Sequence, residues 1–171
     1  MMVRMLRNLF LAVVAAVAVS ACELLEEFDD EPVAGLPACT WARVVKVTDG
    51  DTIRVQFDGR EERVRYIGID TPEVRGSPGG PEPFGDEASE ANARMVEDAR
   101  VCLERDVSET DRYGRLLRYV WLRDGTLVNE ELLRLGLAQI TTYPPDVKYV
   151  ESRYLPAQDE AQASRRGIWG E

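Results

Sequence analysis

The sequence predicts an α+β domain in which five strands and three helices follow in the order βββαββαα, an order that lets the strands close a small barrel. Three observations carry this. Alternating apolar and polar runs broken by Asp-Gly turns fill residues 40–69. Small apolar residues at helical spacing follow a glycine- and proline-rich loop, and two more apolar runs then precede two further helical stretches.

In chain order, "TWARVVKV" at 40–47 is a strand by its β-branched content, and "TIRVQF" at 52–57 alternates as a half-buried strand does. Asp58-Gly59 is a hairpin turn. The third strand, "EERVRYIGI" at 61–69, sets Val64 and Tyr66 against Arg63 and Arg65. Residues 74–85 hold four glycines and three prolines, so they form a loop. A helix begins near Asp86 or Glu87 and runs to about Ala99, its apolar face set by Ala88, Ala91, Met95 and Ala99. "VCLERDV" at 101–107 and "LLRYVWL" at 116–122 are the fourth and fifth strands. "LVNEELLRLGLA" is a short helix stopped near Gly136. The last helix covers about Val147 to Arg165, with Pro156 a kink or break.

Residues 1–21 stand apart from this domain. Arg4 and Arg7 precede an apolar stretch from Leu9 to Val19, the length of a signal-peptide core and short of the ~20 residues a membrane span needs. It ends in Val19-Ser20-Ala21-Cys22, small residues before a cysteine that resemble the lipobox of bacterial lipoproteins. Cys22 is therefore the expected lipidation site, anchoring the protein to a membrane of the bacterial cell envelope, outside the cytoplasm, with the leaflet left open. Residues 22–38 read as an acidic tether, with six acids, no bases and two prolines between Glu23 and Pro37. The whole chain of 171 residues carries −10 from 21 basic and 31 acidic groups. Without the two leader arginines and the six tether acids, residues 39–171 still carry −6. The two cysteines left in that domain, Cys39 and Cys102, suggest a disulfide in an exported protein, and bridging requires their strands to be neighbours. Nothing in the sequence calls for an obligate oligomer, so a monomer is expected.

The chain has no histidine, which removes imidazole as base, acid or metal ligand. Metal chemistry must use oxygen donors, favouring calcium, magnesium or manganese. Asp49-Gly50-Asp51 alone is a turn. Joined to "IDTPE" it gains meaning, because the start of strand two and the end of strand three lie at one end of an antiparallel meander. Asp49, Asp51, Asp70 and Glu73 can then share one patch, where carboxylates repel unless a cation neutralises them. Arg65, near the end of strand three, and Arg115, at the start of strand five, add guanidinium forks that match phosphate oxygens. Such a set suits a pentavalent phosphate in transition.

"VTDGDT", "VRYIGIDTPE", "FGDEASEANARMVE", "DRYGR", "DGTLVNEELLRLGLA" and "ASRRGIW" occur in that order. Together they resemble the staphylococcal nuclease (thermonuclease) family over about residues 41–169. The resemblance implies a five-stranded OB-type barrel with three helices and calcium-dependent hydrolysis of DNA and/or RNA to 3′-phosphorylated products. Carried over by motif, it implies that Asp51 and Asp70 bind Ca2+ directly, Thr71 through its carbonyl and Asp49 through water. Glu73 becomes the base or water-orienting group, and Arg65 and Arg115 the phosphate clamp. Carboxylates ionise well below neutral pH, so a glutamate can serve as base where no histidine exists. Pro72 limits how Glu73 is aimed.

Two departures stand out. Family members often carry lysines in the loop after TPE, whereas "VRGSPGGPEPFG" offers only Arg75. Phosphate contacts supply much of nucleic-acid affinity, so capture then depends on local focusing by Arg65, Arg75, Arg112 and Arg115. The family's nucleotide-holding aromatic positions fall on Thr142 and Pro144, with Tyr143 between them able to stack on a base. Tyr113 is expected to pack beside the barrel. The rival readings are an OB-type module that binds nucleic acid or a protein without cutting, and a structural envelope protein using calcium for stability. The first would dispense with the acids or arginines, and the second would have no use for Arg65 and Arg115.

Overall fold

β1 (Thr40–Val47), β2 (Thr52–Phe57) and β3 (Arg60–Tyr66) form an antiparallel meander. In the computed structural model, residues 33–77 and 79–170 are described; the leader, Cys22 and the tether as far as residue 32 lie outside them. The hairpin turn at Asp58-Gly59 has positive φ at both residues, 46° and 73°, the backbone that a tight two-residue turn demands. Further along come β4 (Ile69–Asp70), α1 (Gly85–Val96), β5 (Arg100–Glu104), β6 (Leu116–Trp121), α2 (Val128–Arg134), β7 (Gln139–Ile140) and α3 (Leu155–Ala163). The barrel closes in the order β1-β2-β3-β6-β5, with β3 and β6 parallel and β5 returning to β1. With the three α-helices among the described residues, this is the α+β, OB-type architecture expected. Cys39 and Cys102 are disulfide-bonded, their Cα atoms 5.5 Å apart, across the β1–β5 seam.

Alternation places Val44, Ile53, Val55, Val64 and Tyr66 inside the barrel. Buried Ala88, Ala91, Asn92 and Val96 on α1 cover one end of it. The Schellman pairing Gly136 N–H to Leu133 and Leu137 N–H to Leu132 ends α2, with Gly136 at φ 71°. Among the described residues no helix is long and apolar enough to cross a membrane.

Several boundaries differ from the expectation, each for a local reason. The third strand stops at Tyr66 instead of Ile69, because Gly68 turns to φ 77° and sends Ile69-Asp70 off to pair with Gln139–Ile140 in a small second sheet. The fourth strand ends at Glu104 instead of Val107: the N–H groups of Val107 and Ser108 donate to the Asp146 carboxylate (3.0 and 2.8 Å) instead of to a strand. The last helix begins with a wide turn at Val150–Tyr154, and Pro156 then sits in the first turn of α3, where its missing N–H costs nothing.

Gly68 is the joint that turns the chain toward the site. A Cβ there would lie 2.8 Å from Cε2 of the buried Tyr154, whose hydroxyl donates to the Ile67 carbonyl at 3.0 Å. Gly68→Ala therefore meets both a left-handed backbone and a ring that cannot retreat. It is expected to lose about 2 kcal/mol or more of stability, read by urea denaturation.

Candidate active site

The turn Thr48–Asp51, the β3–β4 bend and the segment after β5 surround a cleft of about 650 Å³. Asp49, Asp51, Arg65, Asp70, Thr71, Glu73, Arg115 and Tyr143 all line it. The local sequence explains the placement. Arg65 faces Thr52 across the β2–β3 ladder, and the Tyr66 N–H donates to the Asp51 carbonyl (2.9 Å), so Asp51 stands beside Arg65. Asn92 of α1 pins the Asp49 turn by donating to the Asp49 carbonyl (2.9 Å) while accepting from the Tyr66 hydroxyl (2.8 Å).

Arg65 is the hub. Its Nη2 donates to Asp70 Oδ1 at 2.5 Å, and its Nη1 lies 2.5 Å from Asp51 Oδ2. That second contact is an ion pair without hydrogen-bond alignment, so Nη1 is buried with no directional acceptor. Asp51, 6% exposed, also accepts from the Thr71 N–H (2.9 Å) and hydroxyl (3.2 Å). Burial pushes its carboxyl up to about 6; Arg65 opposes this, Asp49 adds to it, and bonds from Thr71 and Thr52 oppose it. Burial likewise raises Asp70, against the pull of Arg65 and with the push of Asp51 and Glu73. One guanidinium is thus the counter-charge for two carboxylates, both held above the usual carboxylate range.

Among the described residues no three acidic or cysteine side chains stand close enough to hold a metal ion between them. Asp49 and Glu73 share the cleft with Asp51 and Asp70, and Asp49 Oδ1 accepts the Asp51 N–H at 3.1 Å. The donor set still fits a hard dication: every donor is an oxygen, and a second positive charge would relieve the raised Asp51 and Asp70.

Glu73 is exposed, and its aim comes from its backbone. Its N–H donates to Glu82 Oε2 (3.0 Å) and its carbonyl accepts from the Glu82 N–H (2.8 Å). A Cβ at Gly85 would lie 2.2 Å from that carbonyl, so α1 begins hard against the Glu73 loop. Arg115 is fixed through Nε, which donates to Asp111 Oδ2 (2.7 Å), while Asp111 Oδ1 accepts the N–H groups of Arg115 and Tyr113. Sequence reasoning missed Asp111 and Glu82. The first lies four residues before Arg115 in "DRYGR", a spacing that signals contact on helices but not in a turn; nothing in the Gly/Pro-rich loop signalled the second.

Tyr113, expected beside the barrel, is instead 59% exposed and lines the cleft, with the Arg112 guanidinium 4.8 Å from its ring centre. The reason is the Asp111-centred turn, which lifts residues 112–114 off the sheet. Tyr143 also lines the cleft and is 75% exposed. Its loop is tied down by buried Asp146, whose burial raises its carboxyl but whose bonds from the Ser108 hydroxyl and N–H and the Val107 N–H outweigh that and hold it below the usual range. A depressed carboxylate stabilises the fold above its unfolded pKa and loses that contribution as pH falls through the folded value. Asp146→Asn is therefore expected to cost about 1–2 kcal/mol at pH 7, with the gap to wild type closing toward pH 3 in urea titrations at the two pH values.

Similarity to known proteins is extensive. The family profile described as "Staphylococcal nuclease homologue" matches residues 63–171. The thermonuclease of Staphylococcus hyicus is 42% identical over 160 residues, covering 92% of this chain and 93% of that one. The thermonuclease of Staphylococcus intermedius is 46% identical over 129 residues, 74% of each chain. Endonuclease YncB of Bacillus subtilis is 40% identical over 126 residues, 72% of this chain and 59% of its own. With a barrel of the expected topology and a profile match over more than half its length, this chain belongs to the staphylococcal nuclease family.

Proposed function

We propose that the protein is a calcium-dependent nuclease that hydrolyses phosphodiester bonds in DNA and/or RNA. In this reading it acts as a monomer, held in the bacterial cell envelope by a lipid on Cys22, with the barrel outside the cytoplasm. The observation that carries the enzymatic reading is the shared cleft: two arginines, a clamped glutamate and a pair of carboxylates that one guanidinium only partly neutralises. The Cys39–Cys102 disulfide supports an oxidising compartment.

Asp51, Asp70, the Thr71 carbonyl and, through water, Asp49 would hold Ca2+, which when bound supplies positive charge against the charge growing on phosphorus. Glu73, its backbone fixed at both N–H and carbonyl, takes the proton of the attacking water. Oxygen of that water bonds to phosphorus and the 5′-oxygen leaves with a proton from solvent, giving a 3′-phosphate. Of the Arg115 guanidinium Asp111 engages Nε alone, so the two terminal nitrogens are kept for phosphate oxygens. Arg65, lining the cleft between Asp51 and Asp70, supplies the other side of the clamp. Tyr143 and Tyr113, both lining the cleft, offer faces for stacking bases.

The purified protein is expected to degrade single-stranded DNA in millimolar calcium and to stop when chelator is added. Unchanged cutting in chelator would reject the metal assignment. DNA binding with no cutting under any divalent ion would favour the non-cutting binding module instead.

A further inference from the structure

The chain is acidic overall, at −10, yet one surface runs against that balance. Across the barrel, Lys46 of β1 faces Arg54 of β2, and Arg54 faces Arg63 of β3. All three side chains are exposed and on the outer face, opposite the core residues Val44, Ile53, Val55 and Val64. Like charges directly opposite one another on a sheet are destabilising, so two such pairs in a row cost stability. Glu61 meets this row and, among the described residues, pairs with Arg54 alone, at 2.7 Å. The Lys46 side chain has neither hydrogen bond nor ion pair among the described residues.

The row is continuous with the cleft. Arg63 and Arg65 lie two residues apart on β3 and so share one face, and Arg65 is the cleft's own guanidinium. Arg63 also donates to the Tyr113 carbonyl at 3.0 Å, placing the row against the lip formed by Tyr113 and Arg112. Three neighbouring strands span about 10 Å. That exceeds the ~3.4 Å rise between phosphates along one strand, so the row can meet more than one phosphate.

We propose that Lys46, Arg54 and Arg63 form a track for the phosphates of a polynucleotide strand that extends beyond the bond being cut. The track rests on the nuclease reading above and supplies the substrate capture that the lysine-poor loop after Glu73 does not. The substrate it selects is a long strand over a short one. Charge complementarity and continuity with the cleft favour a nucleic acid over an anionic lipid surface.

The test compares wild type, Lys46→Gln/Arg54→Gln and a control of equal charge, Arg94→Gln/Arg123→Gln, which removes two exposed cations elsewhere. Binding of a fluorescent 20-nucleotide single strand is followed by anisotropy against salt, and cleavage of that strand is compared with cleavage of a dinucleotide. The track variant is expected to lose about 1.4 from the slope of log K against log salt, so its deficit narrows about sevenfold between 50 and 200 mM. Its preference for the long strand should fall about tenfold through KM, while the control keeps the wild-type slope and preference. Equal slopes and preferences in all three proteins would overturn the track and leave the nuclease reading standing. A wild type that binds the strand but cuts nothing would sink the nuclease reading, and slope-dependent binding would then still decide the track. If the track variant lost affinity only for vesicles of anionic phospholipid, the row would be a membrane contact and the proposal would be wrong.

Discussion

Glu73→Gln is expected to lower kcat by about two to four orders of magnitude while leaving the fold intact, since removing a positioned general base typically costs that much. The amide keeps the size and the polar surface of the carboxylate but cannot take up the proton. Glu73 is exposed, and its backbone bonds to Glu82 do not involve its side chain, so the melting temperature should stay within a degree or so of wild type. Glu73→Asp separates charge from reach: the carboxylate remains, drawn back by one methylene from a backbone that Gly85 prevents from advancing. It should recover only part of the loss. Equal rates for wild type and Glu73→Gln would remove Glu73 from the chemistry.

Arg65→Ala is expected to damage both stability and rate. The Arg65 side chain is 15% exposed and is the charge partner of the buried Asp51 and of the more open Asp70. Breaking a buried pair by deleting one partner typically costs about 3–5 kcal/mol. The lower end applies here, because Asp70 is half-exposed and solvent screens its share. The rate should fall by about 10²–10³, the usual cost of losing one preorganised donor to a growing oxyanion. A diagnostic accompanies this. With the guanidinium gone, Asp51 and Asp70 lack their counter-charge, so calcium should restore part of the lost stability in urea melts and restore little of the rate. A variant as stable and as active as wild type would show that Arg65 is an ordinary surface charge.

The residues that line the cleft were largely legible in the sequence because strand ends carry several of them. Asp51 just before β2 and Arg65 in β3 follow from strand alternation and the meander rule, which the ladder Thr52↔Arg65 realises, whereas Asp70 reaches the same cleft through the Gly68 bend and the β4–β7 pair instead of as the end of strand three. What holds those side chains was not legible. Asn92 reaches the Asp49 carbonyl from 43 residues away, and although helical spacing sets it on the face of Ala88 and Met95, that spacing does not name its partner. Asp111 grips Arg115 through a turn whose shape depends on Gly114 at φ 73°. The break at Gly68 was hidden because Tyr66-Ile67-Gly68-Ile69 keeps its apolar character across the bend; only the approach of Tyr154 from the far end of the chain shows why a glycine stands there. Tyr113 was misplaced for a similar reason, since an aromatic beside a strand reads as core until the turn beneath it is known.

Calorimetric titration of calcium into the protein with a nucleotide present bears most directly on the idea that these acids and arginines serve one ion and one phosphate together. Wild type should bind one calcium per chain, more tightly with the nucleotide than without it, and Asp51→Asn and Asp70→Asn should each abolish that heat. A wild-type protein that takes up no calcium in the presence of nucleotide, or mutants that bind it as well as wild type does, would contradict the account.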